Sequence, residues 1–472
     1  MLLSLKSFTD LSFAFPDILS ALSLIILILI KNFMIETKAK IMIPKLSVVL
    51  SFISLMGTIV YSVFDKQFNT GLFVYNYNLA QMKIILLSLA CFWFIFLNCT
   101  RLYKGLSSIF FILTYGIINA ITLCLSANNF LILILALELY TFSLGFFLIT
   151  QDSKNRKCAV RFFLTSSIMS AVFIFGCSLL YSQFGSLSFS KIKLTSDFAS
   201  ITGCILIICA LLFKIGCPPF HSWMLDVYEK ASSIVILFLE SIWKIFMFFI
   251  FARVVTIFLQ GEYDPFRLIL LVISVSAMVL GTIMPLFQRN IHKFIAAASM
   301  GHIGFMLTVV VALTYSRSLS VVMSYLSYYS LAIFCFFTGI LIIKNSRPVK
   351  EFSDLSGLFN ASPLIGFLIL LSMFAMIGVP PFGNFIAKLD IFKFFIRHDA
   401  YFLLIVSMFY SVVSIVYVIK WSRFFFKPVK NEPIANQKSV FIPLILLMAL
   451  PISVVLYEMI NNYFAQILKS IV

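Results

Sequence analysis

The chain has 472 residues, of which 62% are hydrophobic and only 11% are charged, and its mean hydropathy is +1.08. A water-soluble domain carries about a quarter charged residues, so a soluble fold of this composition would expose large apolar surfaces to water. The net charge of +17 would suggest nucleic-acid binding in a soluble protein. Here Lys and Arg gather in short segments between apolar runs, as in membrane proteins, so we expect no nucleic-acid partner.

Fourteen apolar runs follow one another along the chain, separated by short polar segments. They lie near residues 17–32, 43–64, 82–99, 106–126, 129–150, 158–181, 200–216, 234–259, 267–286, 293–313, 319–343, 362–395, 400–425 and 440–464. A helix of about 20 apolar residues spans a bilayer, and backbone polar groups in lipid must be bonded within the chain. We predict an all-α polytopic membrane protein with about fourteen transmembrane helices, numbered helix 1 to helix 14 in this order.

The loops predict an orientation in the membrane. Lys and Arg are about twice as frequent in the loops after odd-numbered helices as in the other loops and the termini. These loops are therefore expected in the cytoplasm or the mitochondrial matrix, with both termini on the opposite side. The first apolar run lacks a basic start and a small-residue cleavage site, so no cleavable signal peptide is expected. A bacterial plasma membrane and a mitochondrial inner membrane both fit.

The cysteines and histidines predict no metal or redox centre. The nine Cys lie mostly inside apolar runs and none form a C-x-x-C pair, which is typical of small buried side chains. None of the four His is matched with a second one as a haem ligand pair. We expect no metal and no cofactor in this chain.

Two short segments of the chain are nearly the same. Residues 215–220 read IGCPPF in helix 7, and residues 377–382 read IGVPPF in helix 12. The two helices are five apart, so the second copy crosses the membrane in the opposite direction. This pattern is typical of inverted-topology repeats and predicts one repeat in helices 4–8 and another in helices 9–13.

The proline pairs also have a local consequence. Two adjacent prolines remove two backbone donors and interrupt a helix, and a preceding glycine loosens the turn. Helices 7 and 12 should therefore be broken at membrane depth, which is tolerated only inside protein or beside a water-filled cavity. An ordinary proline kink explains one such motif equally well. Two motifs at inverted positions favour a transport site.

Four ionisable residues lie inside the apolar runs. Glu138 is in helix 5, Lys214 directly precedes the break of helix 7, Lys244 is in helix 8, and Lys388 follows the break of helix 12. An ionisable group at the bilayer centre costs about 2.5–3.5 kcal/mol on insertion scales, so it needs a partner, a cavity or a function. We interpret these four as candidates for a proton relay.

Each of the four also has a structural explanation. Glu138 fits a hydrogen bond between helices, and Lys214 or Lys388 has a stem long enough to reach an interface. Lys244 follows Glu240 by one helical turn, so the two fit an intrahelical pair of small energetic consequence. All four together favour a relay.

Lysine suits such a relay. Burial disfavours its charged form and a nearby carboxylate restores it, so opening or closing one ion pair switches a lysine between releasing and holding a proton. His302 in helix 10 lies between Lys244 and Lys388 in chain order. Its position is compatible with a water-mediated bridge between the two lysines, and equally with an ordinary packing role.

Three stretches carry a family resemblance. They are FKIGCPPFHSWMLDVYEKAS from residue 213, GTIMPLFQRNIHKFIAAASMGHIGF from 281, and EFSDLSGL from 351 with GVPPFGNFIAKLDIF from 378. They resemble the antiporter-like, proton-pumping subunits of NADH:quinone oxidoreductase (respiratory complex I), which also resemble Mrp-type cation/proton antiporter subunits. The resemblance runs from about Pro16 to Phe425, nearly the whole chain. The phrase PFHSWMLDVY and the lysine in helix 12 look most like the subunit N branch.

The resemblance implies roles for the buried charges. Glu138 matches the glutamate of helix 5, and Lys214 matches the helix 7 lysine that pairs with it. Lys244 matches the central lysine of helix 8, and Lys388 the lysine of helix 12 on the exit side. His302 is a weaker member of the same relay.

The sequence departs from the family pattern at two positions. Arg161 stands in helix 6 where the family usually has a lysine, and arginine stays charged, so a proton role there is doubtful. Glu240 is also unusual and would hold the neighbouring lysine protonated. The resemblance further implies a translocase subunit without a redox centre, with NADH, flavin, iron–sulfur clusters and quinone in partner subunits. Its expected partners are sibling antiporter-like subunits, small membrane subunits and the lipid bilayer.

Other functions stay open from the sequence. A subunit of a Mrp-type Na⁺/H⁺ antiporter or of a membrane-bound hydrogenase would share the same charged residues. A free-standing secondary transporter of solutes would need a substrate pocket at the repeat interface, and a membrane scaffold would need no buried charge. The repeats suggest four segments, residues 1–105 with helices 1–3, 106–260 and 261–427 with one repeat each, and 428–472 with helix 14.

Overall fold

The fold is a set of long apolar helices. The computed structural model describes residues 15–63, 68–69, 71–100, 105–151, 156–192, 197–259, 264–312, 316–344, 346–427, 445, 449–453 and 456–468. Within these residues, twelve helices are long and apolar enough to cross a membrane. They correspond to predicted helices 1–11 and 13: Phe15–Phe33, Glu36–Val63, Tyr77–Cys99, Ser108–Ser126, Phe130–Gln151, Arg156–Phe184, Phe198–Ile215, Ser233–Leu259, Asp264–Phe287, Ile291–Ala312, Ser316–Lys344 and Tyr401–Ser422.

The other two predicted helices differ from this pattern. Helix 12 consists of two shorter helices, Pro363–Ile377 (helix 12a) and Gly383–Arg397 (helix 12b). Helix 7 continues beyond its span as Ser222–Lys230 (helix 7b), and the part up to Ile215 is called helix 7a. The run predicted for helix 14 lies partly outside the described residues, which include the helix Tyr457–Leu468. The all-α polytopic fold is confirmed, whereas the count of fourteen stays a prediction.

The connecting segments hold a few short elements. Strands β1 (Phe68–Asn69) and β2 (Val74–Tyr75) form an antiparallel hairpin between helices 2 and 3. Three 3₁₀ turns and one short helix lie in later loops: Phe189–Lys191, Phe352–Leu355, Arg423–Phe426 and Leu358–Ala361. The hairpin lies outside the membrane helices, where backbone groups are not confined to helical bonding.

The helices expose apolar side chains on their outer faces. In helix 13, Phe402 is 68% exposed, Phe409 65% and Val412 62%. Such a face would be unfavourable in water and is suited to lipid. Helix 10, in contrast, is buried along its whole apolar span. The chain is therefore a multi-pass membrane protein with an interior that excludes lipid.

The chain divides into two compact units after Ala210. The first unit contains helices 1–6, the hairpin and most of helix 7a. The second contains the end of helix 7a, helix 7b and the helices that follow. The division into four segments and the inverted repeats stay predictions.

Glycines bring neighbouring helices together in both units. A Cβ atom at Gly176 of helix 6 would lie 2.8 Å from the carbonyl oxygen of Gly203 in helix 7a. A Cβ at Gly281 of helix 9 would lie 2.2 Å from the Cα of Gly301 in helix 10. Only glycine permits so close an approach of backbones, as is common between membrane helices. The second contact fixes the part of helix 10 that carries His302.

The two breaks have the same backbone geometry. Helix 7a ends at Gly216 (φ +73°) and helix 12a at Gly378 (φ +72°), both in the left-handed region that favours glycine. The amide of Cys217 donates to the carbonyl of Leu212 (2.9 Å), and that of Val379 to the carbonyl of Phe374 (3.2 Å). Each glycine amide donates to the carbonyl three residues before it, which completes a Schellman motif. Both proline pairs have a cis peptide bond. The predicted breaks are therefore present in helices 7 and 12.

Candidate functional site

Carbonyl groups at the breaks receive side-chain donors in addition to the backbone bonds of the Schellman motifs. The carbonyl of Phe213 accepts a hydrogen bond from the indole N–H of Trp223 (2.7 Å). The equivalent carbonyl at the second break, that of Ala375, accepts one from the side-chain amide of Asn384 (3.0 Å). Because the last carbonyls of a helix lack helical partners, such donors stabilise a break inside the membrane.

Lys388 is the donor closest to the end of helix 12a. Its Nζ donates to the carbonyl of Ile377 (2.7 Å) and to Ser411 Oγ of helix 13 (3.2 Å). The ammonium also lies over the rings of Tyr410 (5.2 Å) and Phe305 (5.6 Å), where the negative face of an aromatic ring attracts a cation. Lys388 is 2% exposed, so it does not reach an interface. A carbonyl dipole and two rings surround the ammonium.

A buried ion pair lies in helix 8. Lys244 Nζ donates to Glu240 Oε1, and both side chains are almost fully buried. The same carboxylate accepts hydrogen bonds from the hydroxyls of Tyr228 in helix 7b (2.7 Å) and Tyr329 in helix 11 (3.3 Å). Three donors on one carboxylate satisfy most of its hydrogen-bonding capacity and stabilise its charge in a low-dielectric interior.

The pair lies at an irregularity of its helix. Residues 239–243 form a π-helical turn between the α-helical parts Ser233–Phe238 and Lys244–Leu259. Such insertions are rare and occur often at functional sites, because they redirect side chains and loosen the hydrogen-bond ladder. Glu240 is the second residue of this turn and Lys244 directly follows it.

His302 lies among aromatic side chains in helix 10. Its Nδ1 is 2.6 Å from the hydroxyl of Tyr325, and its ring centroid is 4.6 Å from that of Tyr329 and 5.8 Å from that of Tyr410. It is 1% exposed, and its Nε2 has no hydrogen-bond partner within the described residues. A buried imidazole nitrogen without a partner is unfavourable unless water or a proton relay uses it.

These contacts form a continuous series within the second unit. The Glu240–Lys244 pair is bonded to Tyr329, whose ring lies against His302. His302 in turn contacts Tyr410, over which Lys388 lies. Three of the five residues predicted from the sequence are thus connected by aromatic side chains that the sequence had not singled out. Proton transfer along such a series would need water between the groups that are not hydrogen-bonded to each other.

Glu138 lies in the first unit, in helix 5. It is half-buried, and its Oε1 accepts a hydrogen bond from Ser170 Oγ of helix 6. Helix 5 is otherwise almost wholly apolar. The carboxylate is thus held by a neighbouring helix.

Lys214 lies in the second unit, in the last turn of helix 7a, and is 2% exposed. It directly precedes the break. Glu138 and Lys214 belong to different units, and their pairing stays a prediction.

A second polar series reaches one edge of the second unit. Lys344 at the end of helix 11 donates to Ser233 Oγ at the start of helix 8 (3.0 Å). Ser233 Oγ lies 2.9 Å from Nε2 of His292 in the first turn of helix 10. Lys344 is partly exposed, whereas Ser233 and His292 are buried. Helix ends hold polar residues so often that their positions in the sequence did not set these three apart.

The first unit has its own buried ion pair. Asp17 in helix 1 accepts a hydrogen bond from Lys83 of helix 3 (2.7 Å). It also accepts bonds from the hydroxyls of Tyr75 in β2 and Ser126 in helix 4, the latter at 2.5 Å. Both charged residues stand at the edges of apolar runs in the sequence, where charges are common. That position is why the sequence reading missed the pair.

Two further sequence expectations concern Arg161 and metals. Arg161 is exposed in helix 6, where a permanently charged guanidinium is accessible to headgroups or solvent. In the part of the chain that the structure describes, no group of three or more His, Cys, Asp or Glu is arranged to hold a metal ion.

Comparisons with known proteins place the chain in a family. The family described as "NADH:quinone oxidoreductase/Mrp antiporter, TM" matches residues 127–414, more than half of the chain. The chain belongs to this family. The match covers Glu138, both broken helices and the connected series of the second unit.

Relatives with curated names show which branch of the family the chain resembles. NADH-quinone oxidoreductase subunit N of Pelagibacter ubique is 28% identical over 87% of this chain and 88% of its own length. The same subunit of Thiobacillus denitrificans is 29% identical, over 72% of each chain. Subunit N 2 of Thermodesulfovibrio yellowstonii is 27% identical over 83% of this chain and 88% of its own. The resemblance to subunit N that the sequence predicted is confirmed.

Chains in the solved structures of three membrane complexes share the fold. A chain of the archaeal membrane-bound sulfane sulfur reductase has a TM-score of 0.84 at 16% identity and covers 97% of this chain and 98% of its own. A chain of Thermus thermophilus respiratory complex I has a TM-score of 0.78 at 20% identity, with 95% and 98% covered. A chain of the Mrp complex from Dietzia has a TM-score of 0.82 at 15% identity, with 98% of each covered. Because three kinds of complex share the fold, the fold alone does not choose among them.

Proposed function

We propose that this chain is a membrane-arm subunit of a proton-translocating NADH:quinone oxidoreductase and moves protons through its buried Glu and Lys residues. It acts as part of a translocase and carries no redox centre. Electron transfer from NADH to quinone takes place in other subunits, which hold the flavin, the iron–sulfur clusters and the quinone. The subunit N relatives and the connected series of buried groups support this proposal.

The series from Lys244 to Lys388 carries the proposal. Every ionisable group in it is 2% exposed or less, so each is separated from lipid and bulk water. A proton released at the Glu240–Lys244 pair passes by way of the Tyr329 hydroxyl and water to His302. His302 then delivers it to Lys388. Tyrosine, histidine and lysine each hold or release one proton, which is the chemistry of a relay.

Lys388 acts as the terminal acceptor of the series. When charged, it donates to the carbonyl of Ile377 and lies over two aromatic rings. When it loses its proton, both stabilising interactions weaken, because the dipole and the rings attract a cation. Release of the proton is therefore coupled to the end of helix 12a and to the middle of helix 13.

Uptake of protons begins at Glu138 and Lys214. Opening and closing of this pair switches Lys214 between holding and releasing a proton, and the break beside Lys214 admits water. In the second unit, Lys344, Ser233 and His292 supply a hydrogen-bonded connection to the edge of the same helices. The sequence has no phosphate-binding motif, and the driving energy comes from the partner subunits.

The membrane location follows from the same assignment. The proposed location is the bacterial plasma membrane, and the mitochondrial inner membrane is the alternative. In the bacterial membrane, the loops after odd-numbered helices lie in the cytoplasm and both termini lie in the periplasm. The termini lie outside the described residues. The proposed partners are the sibling antiporter-like subunits and small membrane subunits.

The test is the variant Lys214→Ala in the assembled complex. We expect it to abolish proton pumping, measured as protons moved per NADH oxidised in proteoliposomes. The control is Lys230→Ala, which removes a lysine with a side chain 49% exposed and should leave pumping unchanged. Full pumping by a fully assembled Lys214→Ala complex would end the proposal.

A Mrp-type Na⁺/H⁺ antiporter or a membrane-bound hydrogenase subunit is the second candidate. Chains of the Mrp complex and the sulfane sulfur reductase have this fold, as does a chain of complex I, so the fold is compatible with both candidates. Purification of the tagged chain from its host membrane separates the two. Co-purification of NADH-oxidising peripheral subunits supports the first candidate, and co-purification of small membrane subunits alone supports the second.

A further inference from the structure

A basic pocket lies where helices 9 and 13 end. Its volume is about 460 Å³, and it opens between the end of helix 9, the 3₁₀ turn Phe352–Leu355 and the turn Arg423–Phe426. Its walls include three cations, one carboxylate and two aromatic rings: Arg289, Lys420, Arg423, Glu351, Trp421 and Phe287. The proton series uses none of these residues.

The inner wall is held by hydrogen bonds between the two helix ends. Lys420 Nζ donates to the carbonyl of Leu286 (2.8 Å), and the indole N–H of Trp421 to the carbonyl of Pro285 (2.9 Å). Both carbonyls lie in the last turn of helix 9, where helical partners are lacking. The ring of Phe352 stacks on Trp421 with a centroid distance of 5.1 Å. The wall is therefore formed by packed and bonded groups.

Backbone hydrogen bonds hold the floor of the pocket. The amide of Phe352 donates to the carbonyl of Arg289 (3.2 Å), and the amide of Ile291 to the carbonyl of Lys350 (3.0 Å). These bonds hold the segment before the 3₁₀ turn antiparallel to the start of helix 10. The backbone of Arg289 is thereby fixed at the rim of the pocket.

The charged side chains around the pocket favour binding of an anion. The side chains of Arg289 and Arg423 are exposed, and Lys420 gives one of its three ammonium protons to Leu286. Three cations against the carboxylate of Glu351 leave an excess of positive charge. Guanidinium groups bind phosphate oxygens in a bidentate manner, which makes arginine well suited to phosphate.

The pocket continues into an apolar face. Phe287 is 72% exposed and Ile283, one turn earlier in helix 9, is 48% exposed. In helix 13, Ile419 is 56% and Val416 52% exposed. A ligand with a phosphate in the pocket would therefore extend its apolar part along both helices towards the bilayer interior.

We propose that this pocket binds one anionic phospholipid, with its phosphate between Arg289, Lys420 and Arg423 and its acyl chains along helices 9 and 13. Basic pockets between membrane helices on the cytoplasmic side bind anionic headgroups, and tryptophan is favoured at the headgroup level. Trp421 lines the pocket at the end of helix 13, beside the loops predicted to face the cytoplasm. Lipid binding here is independent of proton translocation by the chain.

The experiment measures lipid retained by the purified complex. The complex is exchanged into mixed micelles containing phosphatidylglycerol or phosphatidylcholine, and bound lipid is counted by native mass spectrometry of the chain. The variant is Arg289→Gln with Arg423→Gln. The matched control is Lys393→Gln with Arg397→Gln, which removes two exposed cations from helix 12b.

We expect the first variant to retain phosphatidylglycerol about tenfold less than the unaltered chain, because two phosphate-binding cations are lost. The control should retain it normally, and phosphatidylcholine should be retained weakly by all. Arg289→Lys with Arg423→Lys checks folding, since it keeps both charges and should retain an intermediate amount.

Two results would overturn lipid binding at this site. One is equal retention of phosphatidylglycerol by the unaltered chain and the Arg289→Gln/Arg423→Gln variant. The other is displacement of phosphatidylglycerol by an equal concentration of inorganic phosphate, which would show a site for a small anion. Weakening of retention by added salt is expected, since the headgroup site is partly exposed.

Discussion

Two buried ion pairs in this molecule have nearly the same local chemistry and different surroundings. In the first unit, the carboxylate of Asp17 accepts hydrogen bonds from a lysine, a tyrosine and a serine. In the second unit, the carboxylate of Glu240 accepts them from a lysine and two tyrosines. Each carboxylate is thus satisfied by three donors, so neither pair is unusual by its own bonds.

The surroundings separate the two pairs. Asp17 joins the start of helix 1 to helix 3, the hairpin and the end of helix 4, as a clamp would. Glu240 lies in a π-helical turn, and Tyr329 connects it to His302 and onwards to Lys388. A buried charge is therefore weak evidence of function by itself, and its connection to further titratable groups is the informative feature.

The largest effect is expected at the far end of the connected series. Lys388→Gln keeps a donor for the carbonyl of Ile377 but carries no titratable proton, so the fold should persist while proton pumping is lost. Lys388→Arg keeps the charge permanently and should also fail. Protons moved per NADH oxidised is the measurement. Normal pumping by Lys388→Gln would make the residue a helix cap and nothing more.

Breaking the clamp of the first unit should lower stability. Asp17→Asn leaves the Lys83 ammonium buried without a counter-charge, which costs about 3–5 kcal/mol when one partner of a buried pair is removed. Thermal unfolding in detergent should show a lower midpoint and less assembled complex. The complexes that do assemble should pump at the normal ratio. A lower ratio in stable complexes would mean that Asp17 carries protons.

Removing a single hydroxyl group tests the difference between the two ion pairs further. Tyr329→Phe removes the bond to Glu240 while keeping the ring against His302, so translocation should fall about tenfold, as for loss of one proton-transfer group. Tyr228→Phe is the matched control, because it removes a bond to the same carboxylate without the contact to His302. Pumping rate at saturating NADH is measured. Equal loss in both variants would contradict a route through His302.

The smallest effect is expected at a partly exposed ion pair. The hydrogen bond from Lys293 (2.8 Å) holds the pKa of Glu229 in helix 7b below its usual range. A lowered pKa in the folded state adds stability above the unfolded pKa, and that stability is lost as pH falls through the folded pKa. Glu229→Gln should therefore cost less than about 1 kcal/mol at pH 7, and nothing in acid. Unfolding midpoints at both pH values check this, and a pumping defect is not expected.

The sequence predicted much of this arrangement. Apolar runs located the helices, and the two PPF motifs located both breaks, because paired prolines remove donors wherever they occur. Lys214, Lys244 and Lys388 were recognisable since lysine is rare inside such runs. The match to the family confirmed the resemblance that these residues had suggested.

Other features had no signal in a single sequence. Tyr329 and Tyr410 are two of eighteen tyrosines, and only their contacts with His302 and Lys388 distinguish them. The π-helical turn at Glu240 depends on packing from several helices, which local propensity does not encode. Asp17 and Lys83 resembled ordinary charges at helix edges until the fold joined them.

The most direct test replaces each ion pair by apolar residues. Removing both partners of a buried pair is often neutral for stability, so both double variants should assemble. Protons moved per NADH oxidised should stay normal in Asp17→Leu/Lys83→Met and be lost in Glu240→Leu/Lys244→Met. Normal pumping in both would contradict a proton route through helix 8.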